Sequence, residues 1–127
     1  MKRLLFSTLI ILFIIFLCCI HVASLKQFTQ AQIEQLEVAV SHLERNEWRQ
    51  AEDVISVVYD AWEQRAFYLH TTLRHTDIDA IRTSLREIQA YLKGREDRSE
   101  CLAATAKLIN QLELLLEAEL PTIKNLL

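Results

Sequence analysis

Apolar and polar positions divide this chain into one unbroken apolar run and a series of stretches with helical periodicity. After Lys2 and Arg3, the run from Leu4 to Ile20 contains no charged side chain. A helix from Leu4 to Leu25 would be about 33 Å long, close to the thickness of a bilayer's hydrocarbon core. Between Met1 and Asn46 there is neither Gly nor Pro. Leu25, Phe28, Ile33, Leu36, Val40 and Leu43 keep helical spacing, so the run is expected to continue into a first extramembrane helix over residues 26–44.

Three more helices follow from the same periodicity. The second, 47–73, has its apolar seam at Trp48, Ala51, Ile55, Val58, Trp62, Ala66 and Leu69, with Arg49, Asp53, Asp60, Glu63 and Arg74 on the opposite face. Asn46 is expected to cap its start, with Glu47 at the positive end of the helix dipole. Thr76 with Asp79 reads as a capping box opening a third helix, 77–93, whose seam is Ile78, Ile81, Leu85, Ile88 and Leu92. Gly94, the single glycine, stands where a left-handed cap would end it. Asp97 with Glu100 opens a fourth helix, 98–119, carrying Cys101, Leu108, Leu112 and Leu115. Pro121 is expected to stop it, leaving a tail whose Ile123, Leu126 and Leu127 pack back.

Short connections at 45–46, 74–76 and 94–97 make successive helices antiparallel. The expected fold is all-α: a single N-terminal transmembrane helix, residues 1–25, continuing into an up-down four-helix bundle, residues 26–127. With one Gly and one Pro, the chain lacks the turn material of a β architecture. The Trp48 to Tyr59 spacing hints at a tetratricopeptide motif, but the small residues that let its helices cross are missing.

Charge sets the orientation expected for the run. Lys2 and Arg3 flank it on one side and Lys26 alone on the other, which favours a cytoplasmic N-terminus and an extracytoplasmic bundle at the cell membrane. Val22-Ala23-Ser24 also offers a signal cleavage site before Leu25, although the apolar run is longer than a usual signal core and no helix breaker precedes the site. Leu17 before Cys18 disfavours a lipoprotein signal, while S-acylation of Cys18 or Cys19 stays open. All 17 acids but only 12 of the 14 bases lie beyond residue 25, so the bundle carries a net charge of −5. Such a domain suits neither nucleic acid nor anionic lipid head groups. Cys101 is the single cysteine beyond the run, so the domain forms no internal disulfide and depends on packing.

Candidate chemistry is sparse. His70, His75, Asp77 and Asp79 form the densest cluster of metal-ligand types. No two histidines there stand one helical turn apart, and no third histidine or cysteine is near, so a turn-closing role for His75 and Asp79 is the expectation. Cys101 near a helix start is a possible thiolate, but its seam position suits a small buried residue. Trp48 and Trp62 share a stripe that is either core or a stacking platform, and core is expected. The basic stretch Arg82, Arg86, Lys93, Arg95 and Arg98 interleaves with Glu87, Glu96, Asp97 and Glu100, the pattern of a solvated face.

Several of these residues together carry a family likeness over essentially the whole chain. They are the basic start and apolar span, Trp48 after a polar turn, Trp62 on the same helix, His75 ahead of Asp77-Ile78-Asp79, Tyr91, and the ending Asn125-Leu126-Leu127. The chain resembles the bacterial domain-of-unknown-function family 4363. The resemblance implies a small membrane-anchored protein of Gram-positive bacteria with no established activity. It also implies a small multi-spanning membrane protein, encoded nearby, as a candidate partner. The ending departs from the Asn-Ile-Leu expected of that family.

The function expected is therefore non-enzymatic: a membrane-anchored interaction protein, without cofactor or metal, whose partners are the bilayer and another membrane protein or a second copy of itself. The alternative is the ectodomain of a sensor. With only Met1, Lys2 and Arg3 on the cytoplasmic side, its signal would pass through a partner membrane protein.

Overall fold

The computed structural model describes residues 1–72, 75–95 and 97–126, and the side chains of residues 1–66, 76–95 and 97–117. Four helices follow one another: α1 (Lys2–Glu44), α2 (Trp48–Thr72), α3 (His75–Gly94) and α4 (Arg98–Leu126). The chain is all-α. Among the described residues α1 packs on α2 and α4, α3 packs on the same two, and neither diagonal pair is in contact. That pattern is a square, up-down bundle.

Core positions recur in steps of four and three. They are Leu25, Thr29, Gln32, Leu36, Ala39 and Leu43 on α1, and Ala51, Ile55, Val58, Trp62 and Ala66 on α2. On α3 they are Ile78, Ile81, Leu85, Ile88 and Leu92, with Ser84 buried beside them, and on α4 Cys101, Thr105, Leu108, Leu112 and Leu115. A repeat of 3.5 residues keeps each seam facing its neighbours only if the helices coil left-handedly. Cross-helix bonds fix the register. Arg98 donates to Asn46 Oδ1 at 3.1 Å, and Ser84 Oγ donates to Gln111 Oε1 at 2.8 Å. The Arg82 guanidinium forks onto Glu63, with Nε 2.7 Å from Oε1 and Nη2 3.2 Å from Oε2. This register places Leu43, Ala51, Leu92 and Cys101 in one layer. Leu36, Val58, Leu85 and Leu108 form another, and Gln32, Trp62, Ile81 and Leu112 the next.

α1 is one uninterrupted helix. Residues 1–20 are exposed along all sides, His21 and Val22 are half-buried, and Leu25 is buried in the bundle core. The apolar run is long and apolar enough to cross a membrane. Because packing starts near His21, the free part is about 17 residues, ~26 Å of helix. The bundle therefore stands directly on the end of the apolar shaft with no linker between them.

The connections depart from expectation in four places. Asn46 does not cap α2. It adopts φ 59 as the residue just past α1, where the N–H groups of Asn46 and Glu47 donate to the carbonyls of Leu43 and His42. Those two bonds form a Schellman motif, and asparagine tolerates the left-handed conformation better than most residues. The left-handed residue after α3 is Arg95, at φ 50, and not Gly94. The N–H of Arg95 donates to the Tyr91 carbonyl, which places the left-handed position one residue beyond the glycine. α3 begins at His75, so Thr76 and Asp79 lie inside the helix and make no capping box across its start. α4 runs through Pro121 to Leu126, because proline removes one backbone donor without obliging a helix to end. The Asp97 cap does form, its carboxylate accepting from the Ser99 N–H at 2.8 Å. The side chains of Leu69, Ile123 and Leu126, together with Leu127, lie outside the described residues.

Candidate functional site

Of the residues singled out in the sequence, Trp62 is the most deeply placed, only 1 % exposed in the core. α2 presents it to α1, where the Phe28 ring stacks on it with centroids 6.1 Å apart and planes at 25°. The Arg65 guanidinium covers Phe28 at 4.4 Å from its centroid. The three side chains form a closed stack, so no aromatic face of Trp62 is offered to a ligand. Trp48 is half-buried against the core at the other end of α2. The two tryptophans therefore do not build a shared platform.

This stretch of the bundle is polar inside. Thr29 Oγ1, Gln32 Oε1 and Trp62 Nε1 are buried and find no hydrogen-bond partner among the described residues. The periodicity of α1 did not announce it, since Thr29, Gln32 and Ala39 occupy core positions while the more apolar Phe28, Ile33 and Val40 only flank them. The periodicity places Phe28 on the α1 seam but not its stacking on Trp62, and a surface arginine such as Arg65 carries no periodic signal.

Asp79 is exposed on α3, as is Asp77. The side chains of His70 and His75 lie outside the described residues. No group of three or more His, Cys, Asp or Glu side chains converges on a metal-sized site among the described residues. Cys101 is fully buried. Burial pushes its thiol above the ordinary range, and the carboxylates of Asp97 and Glu100 add to the shift. The helix start therefore does not make it a thiolate.

The basic stretch on α3 and α4 is largely spoken for. Arg82 holds Glu63, Arg98 reaches Asn46, and Arg86 bonds Tyr59, which raises the arginine further. Nearby, the Tyr91 hydroxyl donates to Glu87 at 3.1 Å and is held above its usual pKa by that carboxylate. At the α1–α2 turn His42 Nδ1 and Glu47 Oε2 lie 2.6 Å apart, with Arg45 Nε 3.6 Å from the same carboxylate. Open grooves mark the surface among the described residues. One of about 200 Å³ lies between α3 and α4 beside Ile81 and Leu115, and one of about 310 Å³ lies between α2 and α3 beside Asp53 and Lys93. The first is smaller than the roughly 300–1,000 Å³ of small-molecule sites and the second only reaches the lower edge of that range, and both lie open to solvent.

Among the described residues the largest continuous apolar surface is thus the shaft, from Leu4 to Ile20. A family model described as Domain of unknown function (DUF4363) matches residues 19–126. The chain belongs to this family. The match begins at Cys19 and takes in the bundle with the last residues of the apolar run. Searches of curated proteins and of solved structures each returned no match.

Proposed function

We propose that this chain is a non-enzymatic, membrane-anchored interaction protein whose helical bundle serves as an accessory subunit of another membrane protein or associates with its own copies. The observation that carries the reading is the continuity of α1. One helix supplies both a fully exposed apolar shaft and a quarter of the bundle core. An exposed run of this length is poorly tolerated in water but suits hydrocarbon. In the proposed orientation Lys2 and Arg3 stay cytoplasmic and the bundle is extracytoplasmic at the cell membrane.

The same continuity supports a second reading, a sensor ectodomain. An unbroken helix transmits a displacement of the bundle into the bilayer, from where a partner membrane protein would carry the signal onward. Topology and anchoring are tested together by labelling an introduced cysteine in intact cells, in a Cys18→Ser/Cys19→Ser background whose remaining Cys101 is buried. A cysteine at exposed Ser99 should react with a membrane-impermeant maleimide without permeabilisation, and one at Lys2 only after it. The reverse pattern would remove the extracytoplasmic assignment.

A further inference from the structure

Beneath the bundle, α1 carries its heptad phase on without interruption. Counting back from the buried Leu25 in steps of three and four gives Val22, Cys18, Ile15, Ile11, Thr8 and Leu4. This face of the shaft continues the stripe that packs against α2 and α4 above, drifting by about 20° per heptad where no neighbour coils the helix. The composition of the shaft divides along the same line. Ser7, Thr8, Cys18 and Cys19 lie on or beside the stripe, whereas Phe6, Phe13 and Phe16 all lie on the opposite half. The Ser7 and Thr8 hydroxyls donate back to the carbonyls of Arg3 and Leu4 at 2.9 and 2.8 Å, so they need no outside partner and leave small positions for close approach. The four small residues of the run thus share one half, interleaved with Leu4, Ile11 and Ile15, and the three phenylalanines share the other. Small residues on the protein-facing side are how membrane helices approach one another closely.

Resting on the membrane-anchored reading above, we infer that the Leu4–Val22 stripe is a docking face for a transmembrane helix of a different protein, one that ends at the membrane surface beneath the bundle. The bundle itself decides against a second copy on this face. Packed helices lie about 8–10 Å apart. A second α1 docked on the stripe would continue upward into the bundle axis, which α2, α3 and α4 already surround. A helix that stops at the surface meets no such obstacle and extends the seam of the bundle into the bilayer.

The test places photoreactive p-benzoylphenylalanine at Ile11, Ile15, Phe6 or Phe13 of the full-length protein, with irradiation in native membranes and mass-spectrometric mapping of adducts. Ile11 and Ile15 should each yield a gel-shifted adduct mapping to an apolar segment of another chain, with Phe6 and Phe13 giving lipid adducts only. Adducts of twice 14.8 kDa through Ile11 and Ile15 would overturn the inference in favour of a second copy. Lipid adducts alone at Ile11 and Ile15 would overturn it also. Protein adducts from Phe6 and Phe13 but not from Ile11 and Ile15 would refute this face while leaving the accessory-subunit reading intact. A protein that no longer stays with the membrane would sink both.

Discussion

Phe28 and Trp62 stack across the α1–α2 interface, which ties the first residues of α1 beyond the shaft to the middle of α2. Trp62 is the largest fully buried side chain described. Its truncation removes both the ring packing and the volume behind it. Trp62→Ala should destabilise the full-length protein in mild detergent by about 3–5 kcal/mol, a large share of a small domain's stability. Trp62→Phe should cost distinctly less, because it also removes an indole N–H buried without a partner among the described residues. Thermal unfolding followed by circular dichroism checks both. Equal melting temperatures for wild type and Trp62→Ala would contradict a core role.

The polar seam of α1 makes the opposite kind of prediction. Gln32 and Thr29 bury polar atoms with no partner among the described residues. Replacing them with shape-matched apolar residues removes that desolvation penalty, so Gln32→Leu and Thr29→Val should each stabilise the bundle by about 1 kcal/mol. Denaturant midpoints measure the gain. A loss of similar size in either variant would show that these atoms are satisfied in solution.

The end of α3 separates the structure from the sequence expectation. Gly94 is not in the left-handed region, whereas Arg95 is. Gly94→Ala should therefore stabilise by about 0.5–1 kcal/mol, since it only restricts the unfolded chain. Arg95→Gly should also gain a few tenths to about 1 kcal/mol by relieving the left-handed conformation. If Gly94 were the left-handed cap, Gly94→Ala would instead be clearly destabilising.

Much of the fold was legible because the informative residues are apolar and periodic. The α3 seam, Ile78 to Leu92, matches the buried apolar residues of α3 one for one and misses only the polar Ser84, and the seam position of Trp62 is a core position. The α1 seam was half a step off, because Phe28, Ile33 and Val40 outrank Thr29, Gln32 and Ala39 in hydrophobicity while packing decides burial. Thr105 escaped for the same reason. Its hydroxyl donates to the Cys101 carbonyl at 2.7 Å, so it enters the core already satisfied. Cap identity was the least legible feature. Asn46 and Arg95 take their conformations from where α1 and α3 stop, and tertiary packing sets that point.

Cys101 gives the account a pH dependence. Burial and the neighbouring carboxylates raise its thiol in the folded state, so the neutral form is the one folding favours. Its contribution to stability is complete below the pKa of the unfolded thiol and is lost as pH rises through the higher folded value. In a Cys18→Ser/Cys19→Ser background, Cys101 should react slowly with Ellman's reagent at pH 8 and rapidly on unfolding. Fast reaction in the folded protein would place the thiol at the surface.

The central claim is that α1 remains one piece, holding the bundle on the membrane by its own apolar shaft. The most direct measurement is the intact mass of the protein recovered from membranes after carbonate washing. The account expects the full-length chain, 14.8 kDa, in the membrane pellet. A soluble form beginning near Leu25 would contradict it, because the shaft would then be a removed signal and the bundle a secreted domain.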